Sequence, residues 1–166
     1  TVLPIASILT LAATGSEMNS GAVISNLQTK EKLAVEHPNM NPKFSILDPT
    51  YTFTVPANQT AAGTADIMSH IFEVYFDNTK EAYLQNRMAE ALLKTCIKYG
   101  KIAVKEPTNY EAKANLMWAS SLAINNLLSY GKEPWWSVHT MEHELSAYFD
   151  ITHGIGLAIL TPYWMK

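Results

Sequence analysis

The sequence predicts a strand-rich opening segment that leads into an all-helical body. Three observations carry this expectation. The first 55 residues hold short apolar runs separated by turn residues, and prolines at 38, 42, 49 and 56 leave no room there for a continuous helix. Beyond Pro56 the apolar residues recur at helical spacing, and no proline occurs until Pro107. Clusters of Asn, Asp, Gly and Pro then divide that stretch into pieces of helix length.

In chain order, extended segments are expected at 6–12, 22–25, 32–36 and 44–47, with a polar turn at Thr14-Gly15-Ser16-Glu17 and a stop at Asp48-Pro49. Helices are expected at about 60–76, 80–104, 110–129, 138–148 and 154–164, the last with Pro162 near its end. Asp77-Asn78, Glu106-Pro107-Thr108-Asn109 and the Tyr130 to Pro134 stretch separate the earlier ones. Asn109 and Ser137 are the expected N-caps, because a short polar side chain can accept the first free amides. There is no internal repeat and no low-complexity segment.

At 166 residues and 48% hydrophobic, the chain can bury a core. The 12 basic against 15 acidic residues, net charge -3, include no basic cluster that would track a phosphate backbone, so nucleic acid is not expected as a partner. The single cysteine, Cys96, allows no internal disulfide and points to a reducing compartment, the cytoplasm. No apolar run approaches the roughly 20 residues of a membrane span. Thr1 opens directly on an apolar Val2-Leu3-Pro4-Ile5 run and Lys166 follows an aromatic segment, so both ends are expected to be cuts in a longer chain.

The chemistry is concentrated in two stretches. Trp136 to Glu144 carries His139 and His143 four apart, which stacks them on one helical face, and His153 follows ten residues later. Gly63 to Glu73 carries Asp66 and His70, again four apart. Asp66 and His70 with His139 and His153 make one carboxylate and three imidazoles, a donor set for zinc or ferrous iron rather than calcium or magnesium. His139-Thr-Met-Glu142-His143 also matches H-x-x-E-H, an inverted zinc-protease helix in which Glu142 would activate water. That alternative needs a further carboxylate ligand downstream, and Asp150 is the only acidic side chain after Glu144. His37, before Pro38, is assigned no role. Trp135, Trp136, Tyr148 and Phe149 could shape an apolar pocket nearby, although core packing is the commoner role of such residues.

Taken together, Thr10-Leu-Ala-Ala-Thr14-Gly15-Ser16-Glu17-Met-Asn19, Asp48-Pro49-Thr-Tyr-Thr, Gly63-Thr-Ala-Asp66-Ile-Met-Ser-His70 and His139-x3-His143-x9-His153-Gly154 resemble the iron-containing (group III) alcohol dehydrogenases, most closely the NAD(P)H-dependent butanol dehydrogenase branch. The resemblance implies the α/β edge of a nucleotide-binding domain at 1–55 followed by a mainly all-α metal-binding catalytic domain at 56–166, a partial dehydroquinate synthase-like architecture. It implies a divalent metal, Fe2+ or Zn2+, held by Asp66, His70, His139 and His153. His143 is left as a proton-relay group beside the metal. Thr10, Thr14, Ser16 and Asn19 fall where the family contacts NADH or NADPH, and Lys32 matches a lysine that reaches the nicotinamide ribose. A small alcohol or aldehyde is the implied substrate, and the full-length enzyme is implied to be a homo-oligomer.

The family's glycine-rich phosphate loop has no counterpart here, since no two of the seven glycines are adjacent. The chain is therefore expected to be an internal piece that binds zinc or iron and turns over little or no butyraldehyde. A non-catalytic helical metal-binding or interaction module is the competing reading, with the H-x-x-E-H metalloprotease third.

Overall fold

The computed structural model describes residues 3–166. Four short strands precede five helices. Strand β1, Ala6–Ile8, pairs parallel with β4, Phe44–Ile46, with Ser7 opposite Ser45 and their hydroxyls 2.8 Å apart. Strands β2, Gly21–Asn26, and β3, Glu31–Glu36, form an antiparallel hairpin. Its turn is shaped by Asn26 Oδ1, which accepts from the amides of Gln28 and Thr29, and closes through Lys30 at φ 55. Two single 3-10 turns, Pro38–Met40 and Pro49–Thr52, each begin on proline and are capped by the preceding side chain, His37 or Asp48. That cap is the role of His37.

The helices are α1 Ala57–Tyr75, α2 Tyr83–Lys105, α3 Tyr110–Ile124, α4 Ser137–Phe149 and α5 His153–Trp164. Asn109 caps α3 as expected, accepting from Ala112 N at 3.0 Å. Ser137 does not cap α4: Trp136 takes that position in the left-handed region (φ 44), and Ser137 Oγ instead accepts from Trp164 Nε1 at 2.8 Å. α3 stops at Ile124 rather than running to Ser129, because Asn126 adopts φ 72 and Asn125 Oδ1 takes the Leu127 amide. The expected extended run at 6–12 keeps strand geometry only to Ile8, after which Leu9 N donates to Ile46 O and the chain loops to Gly21.

α1 is the central element, and its two faces explain the layout. Ile67, Ile71 and Val74 pack against Ala89, Cys96 and Ala103 of α2 and Ala112, Leu116, Ala119 and Ala123 of α3, the continuous apolar core. Asp66, Ser69, His70 and Glu73, spaced one turn apart, form the opposite face and meet α4 and α5. β3 packs on α4, which brings the hairpin to the same end of the molecule. Among the described residues no helix is long and apolar enough to cross a membrane.

Candidate metal centre

The polar face of α1 meets the first turns of α4 and the very start of α5. Gly154 permits the approach: a Cβ there would lie 2.6 Å from the carbonyl carbon of Ala62 in α1 and closer still to its oxygen. His153, the first residue of α5, is thereby held against Asp66. Asp66 Oδ1 lies 3.6 Å from His70 Nδ1, 3.5 Å from His139 Nε2 and 3.6 Å from His153 Nε2. The donor atoms of Asp66, His139 and His153 all fall within 4.8 Å of one another. The rings of His70 and His139 stack at 4.4 Å, and Trp136 stands edge-on to both.

These atoms fit a divalent ion. Asp66 Oδ1, His70 Nδ1 and His139 Nε2 are buried with no hydrogen-bond partner. Leaving a carboxylate oxygen and two ring nitrogens so placed is costly unless a cation satisfies them. Ligands about 2.1 Å from one tetrahedral ion lie roughly 3.4 Å apart, close to the separations seen around Asp66 Oδ1. One carboxylate with imidazole nitrogens is a borderline-metal donor set, for zinc or ferrous iron.

Two further carboxylates grip the far nitrogens of the rings. Glu73 Oε2 pairs with His139 Nδ1 while its Oε1 accepts from Val138 N at 2.7 Å. Glu142 Oε2 pairs with His153 Nδ1, and Lys32 Nζ reaches Glu142 Oε2 at 3.3 Å and Ser146 Oγ at 2.8 Å. A carboxylate that accepts the Nδ1–H hydrogen bond fixes the tautomer in which a deprotonated Nε2 could face a metal beside Asp66. Glu142, His143 and His153 form a second close trio, but the Lys32 ammonium already supplies its positive charge.

The electrostatics follow from burial and these pairings. Burial opposes ionisation of Asp66, yet the three imidazoles hold its carboxyl below the ordinary value. Burial pushes His70 down to about 3, and burial with Lys32 pushes His143 down to about 4. Burial also works against a charged His139, but Asp66 and Glu73 outweigh it and carry that ring up to about 9. Burial likewise opposes a charged Glu142, which His153 and Lys32 keep below the usual carboxylate range.

The structure thus brings the donor atoms of Asp66, His139 and His153 together, places His70 Nδ1 3.6 Å from Asp66 Oδ1 but outside that trio, and leaves His143 at the edge, its ring 5.4 Å from that of His153. Thr10, Thr14 and Ser16 are exposed on the loop between β1 and β2. Asn19 braces that loop, donating to Thr14 O at 2.8 Å and accepting from Gly21 N at 3.1 Å. Lys32 points at Glu142 and Ser146, with His153 Nδ1 3.3 Å from its Nζ. Trp135, Tyr148 and Phe149 are exposed rather than core residues; of the four, only Trp136 packs inward. Glu73 and Glu142 carried no assigned role from the sequence in this arrangement. The signal was present, since Glu73 lies two turns beyond Asp66 and Glu142 one turn beyond His139.

Residues 60–166 match the Fe-containing alcohol dehydrogenase family, C-terminal, and residues 1–49 match iron-containing alcohol dehydrogenase. The chain belongs to the iron-containing alcohol dehydrogenase family. It is 78% identical over 165 residues to the NADH-dependent butanol dehydrogenase B of Clostridium acetobutylicum, covering 99% of this chain and 42% of that protein. The NADPH-dependent aldehyde reductase of Escherichia coli is 43% identical over 160 residues, 96% of this chain and 41% of the reductase. Among solved structures, the NADH-dependent butanol dehydrogenase A of Thermotoga maritima superposes with a TM-score of 0.95 at 45% identity, over 98% of this chain and 41% of that one. This iron-containing alcohol dehydrogenase chain therefore spans about two fifths of the length of the relatives it matches. The family's divalent metal agrees in kind with the donor set around Asp66.

Proposed function

We propose that the chain is the metal-binding part of an oxidoreductase that interconverts a primary aliphatic alcohol, butanol-like, and its aldehyde by hydride transfer with NADH or NADPH. The observation that carries this reading is Asp66 Oδ1, buried, unpartnered and ringed by imidazoles from α1, α4 and α5. Asp66, His70, His139 and His153 are the residues that hold Fe2+ or Zn2+. When bound, the ion supplies Lewis-acid polarisation of the substrate oxygen. His143, neutral at physiological pH and half-buried beside His153, carries the proton to or from that oxygen. Thr10, Thr14, Ser16 and Asn19 present the exposed edge on which the dinucleotide rests, with Lys32 at its nicotinamide end. Residues 1–55 are then the end of the dinucleotide-binding domain and 56–166 the helical metal domain.

The fate of Glu142 supports this reading over the H-x-x-E-H protease. A water-activating base needs a free carboxylate beside the ion, whereas Glu142 is buried and engaged by His153 and Lys32. Elemental analysis tests the assignment. The purified chain is expected to hold about one zinc or iron, lost in Asp66→Ala and His153→Ala and retained in His143→Ala. An Asp66→Ala chain that kept its metal would overturn the ligand set, and metal lost only in His143→Ala would restore the protease helix. Titration with NADH or NADPH separates an oxidoreductase segment from a bare metal-binding module, which has no specific site for either.

A further inference from the structure

Glu142 is the part of the His139 to His143 motif that the metal ligands leave unexplained. It is fully buried, it lies 110 residues from Lys32 in sequence, and it is clamped from three sides. His153 Nδ1 pairs with Oε2, Lys32 Nζ bonds the same oxygen at 3.3 Å, and Gly156 closes over the other side. A Cβ at 156 would lie 2.7 Å from Glu142 Oε1 and 2.8 Å from its Cγ, so the small residue there leaves just the space this carboxylate occupies. Lys32 belongs to β3, and its remaining reach is to Ser146 Oγ of α4 and, at 3.3 Å, to His153 Nδ1.

We infer that Glu142 is a positioning residue that orients His153 toward the metal, and that Lys32 acts on the metal through Glu142, tying the β2–β3 hairpin to a ligand. The inference rests on the ligand set proposed above. Physically, the carboxylate fixes the His153 tautomer and ring angle, and the ammonium fixes the carboxylate. Without Lys32, Glu142 is free to rotate away from the Nδ1 proton. Without Glu142, the imidazole can flip its ring and present the wrong nitrogen to the ion.

The test is Co2+ titration of the full chain, read by the visible absorption of the bound ion and by affinity, with thermal unfolding of each apo variant alongside. Glu142→Ala is expected to weaken Co2+ binding about 10- to 100-fold and to change the absorption bands, while Glu142→Gln, which still accepts from Nδ1, recovers much of the loss. Lys32→Met, on an exposed hairpin, is expected to weaken binding several-fold in the native background and to have little effect once Glu142 is Ala. Should Glu142→Ala fail to fold, Glu142→Leu, which fills the space but offers no acceptor, carries the same cycle with Lys32→Met. Unchanged affinity and bands in Glu142→Ala, equal losses in Ala and Gln, or a Lys32→Met loss that persists without Glu142 would each overturn the inference. No Co2+ binding by the unaltered chain would instead overturn the ligand set itself, and this inference with it.

Discussion

Gly154→Ala places one methyl group where α5 crosses α1, and its effect can be worked from the structure. The new Cβ would sit 2.6 Å from the Ala62 carbonyl carbon and 3.0 Å from its Cα, where ordinary contact begins at 3.4 Å. Both atoms are helix backbone, so relief requires the two helices to part by about 1 Å, a substantial overpacking strain. Overpacking of this kind costs roughly 1–3 kcal/mol, which for a domain of this size lowers the melting temperature by roughly 2–12 °C. His153 begins α5 beside Gly154, and its Nε2 shares the centre with Asp66 of α1, so the same separation pulls one donor from the other. Metal ligands tolerate displacements of only about 0.2 Å, and Co2+ affinity should fall with stability. Gly63→Ala is the matched control. Its Cβ would meet Ala12 O at 2.6 Å, a strain on the β1–β2 loop instead of on α5, and should lower the melting temperature while leaving the cobalt absorption unchanged. A Gly154→Ala chain with native melting temperature and native Co2+ affinity would refute the reasoning.

Lys132 is buried within the α3–α4 connection and donates to Val74 O and to Asn86 Oδ1 at 2.9 Å, with Asp77 Oδ1 3.2 Å away. Lys132→Met strands all three acceptors and should cost about 3 kcal/mol by urea unfolding, a loss partly recovered in the Lys132→Met/Asp77→Asn double variant; a change below about 1 kcal/mol would show the pair to be dispensable. Glu73→Ala removes both the acceptor for His139 Nδ1 and the acceptor for the Val138 amide that opens α4. Co2+ affinity is expected to drop about 10- to 100-fold in titrations, with Glu73→Gln nearer to native; equal affinity in all three proteins would remove Glu73 from the centre.

The parts of the fold that could be read from sequence were those written in local spacing. Helices α1, α2 and α4 were legible because apolar residues recur along them at helical period. Helices α3 and α5, with no one-sided apolar stripe, were legible from their length and flanking turn residues, and Asn109 could be placed as a cap because its side chain acts three residues away. Asp66 with His70 was legible from local spacing too, as donors one helical turn apart, whereas His139 with His153 came from the family resemblance, because local spacing paired His139 with His143. Boundaries set by a single backbone angle were not legible. The early stop of α3 depends on Asn126 turning left-handed, and the start of α4 depends on Trp136 doing so, a conformation a bulky side chain rarely adopts. Contacts fixed by tertiary packing were equally hidden. Nothing near Lys32 in the chain announces that β3 packs on α4, so its bond to Glu142 could only come from the fold.

The histidine spacing within α4 pairs His139 with His143, whereas the structure turns the His139 ring toward α1, and the reason lies in α1. Residues four apart on a helix share a face, but they converge on one point only if that point lies over their own helix. Here the point is set by a different helix. Asp66 and Glu73 stand two turns apart on α1, roughly 10 Å along its axis, and the His139 ring lies between them with one nitrogen directed at each. That grip aims His139 at α1 and away from the axis of its own stripe. His143, one turn farther along α4, passes beyond the reach of both carboxylates and faces His153 from the Lys32 side. His153 can approach Asp66 because it enters from a second helix whose next residue, Gly154, has no side chain to hold it off. The proposed centre is therefore organised by α1, which carries Asp66 and His70 and holds His139 through Glu73, while α4 and α5 each bring one ring to it.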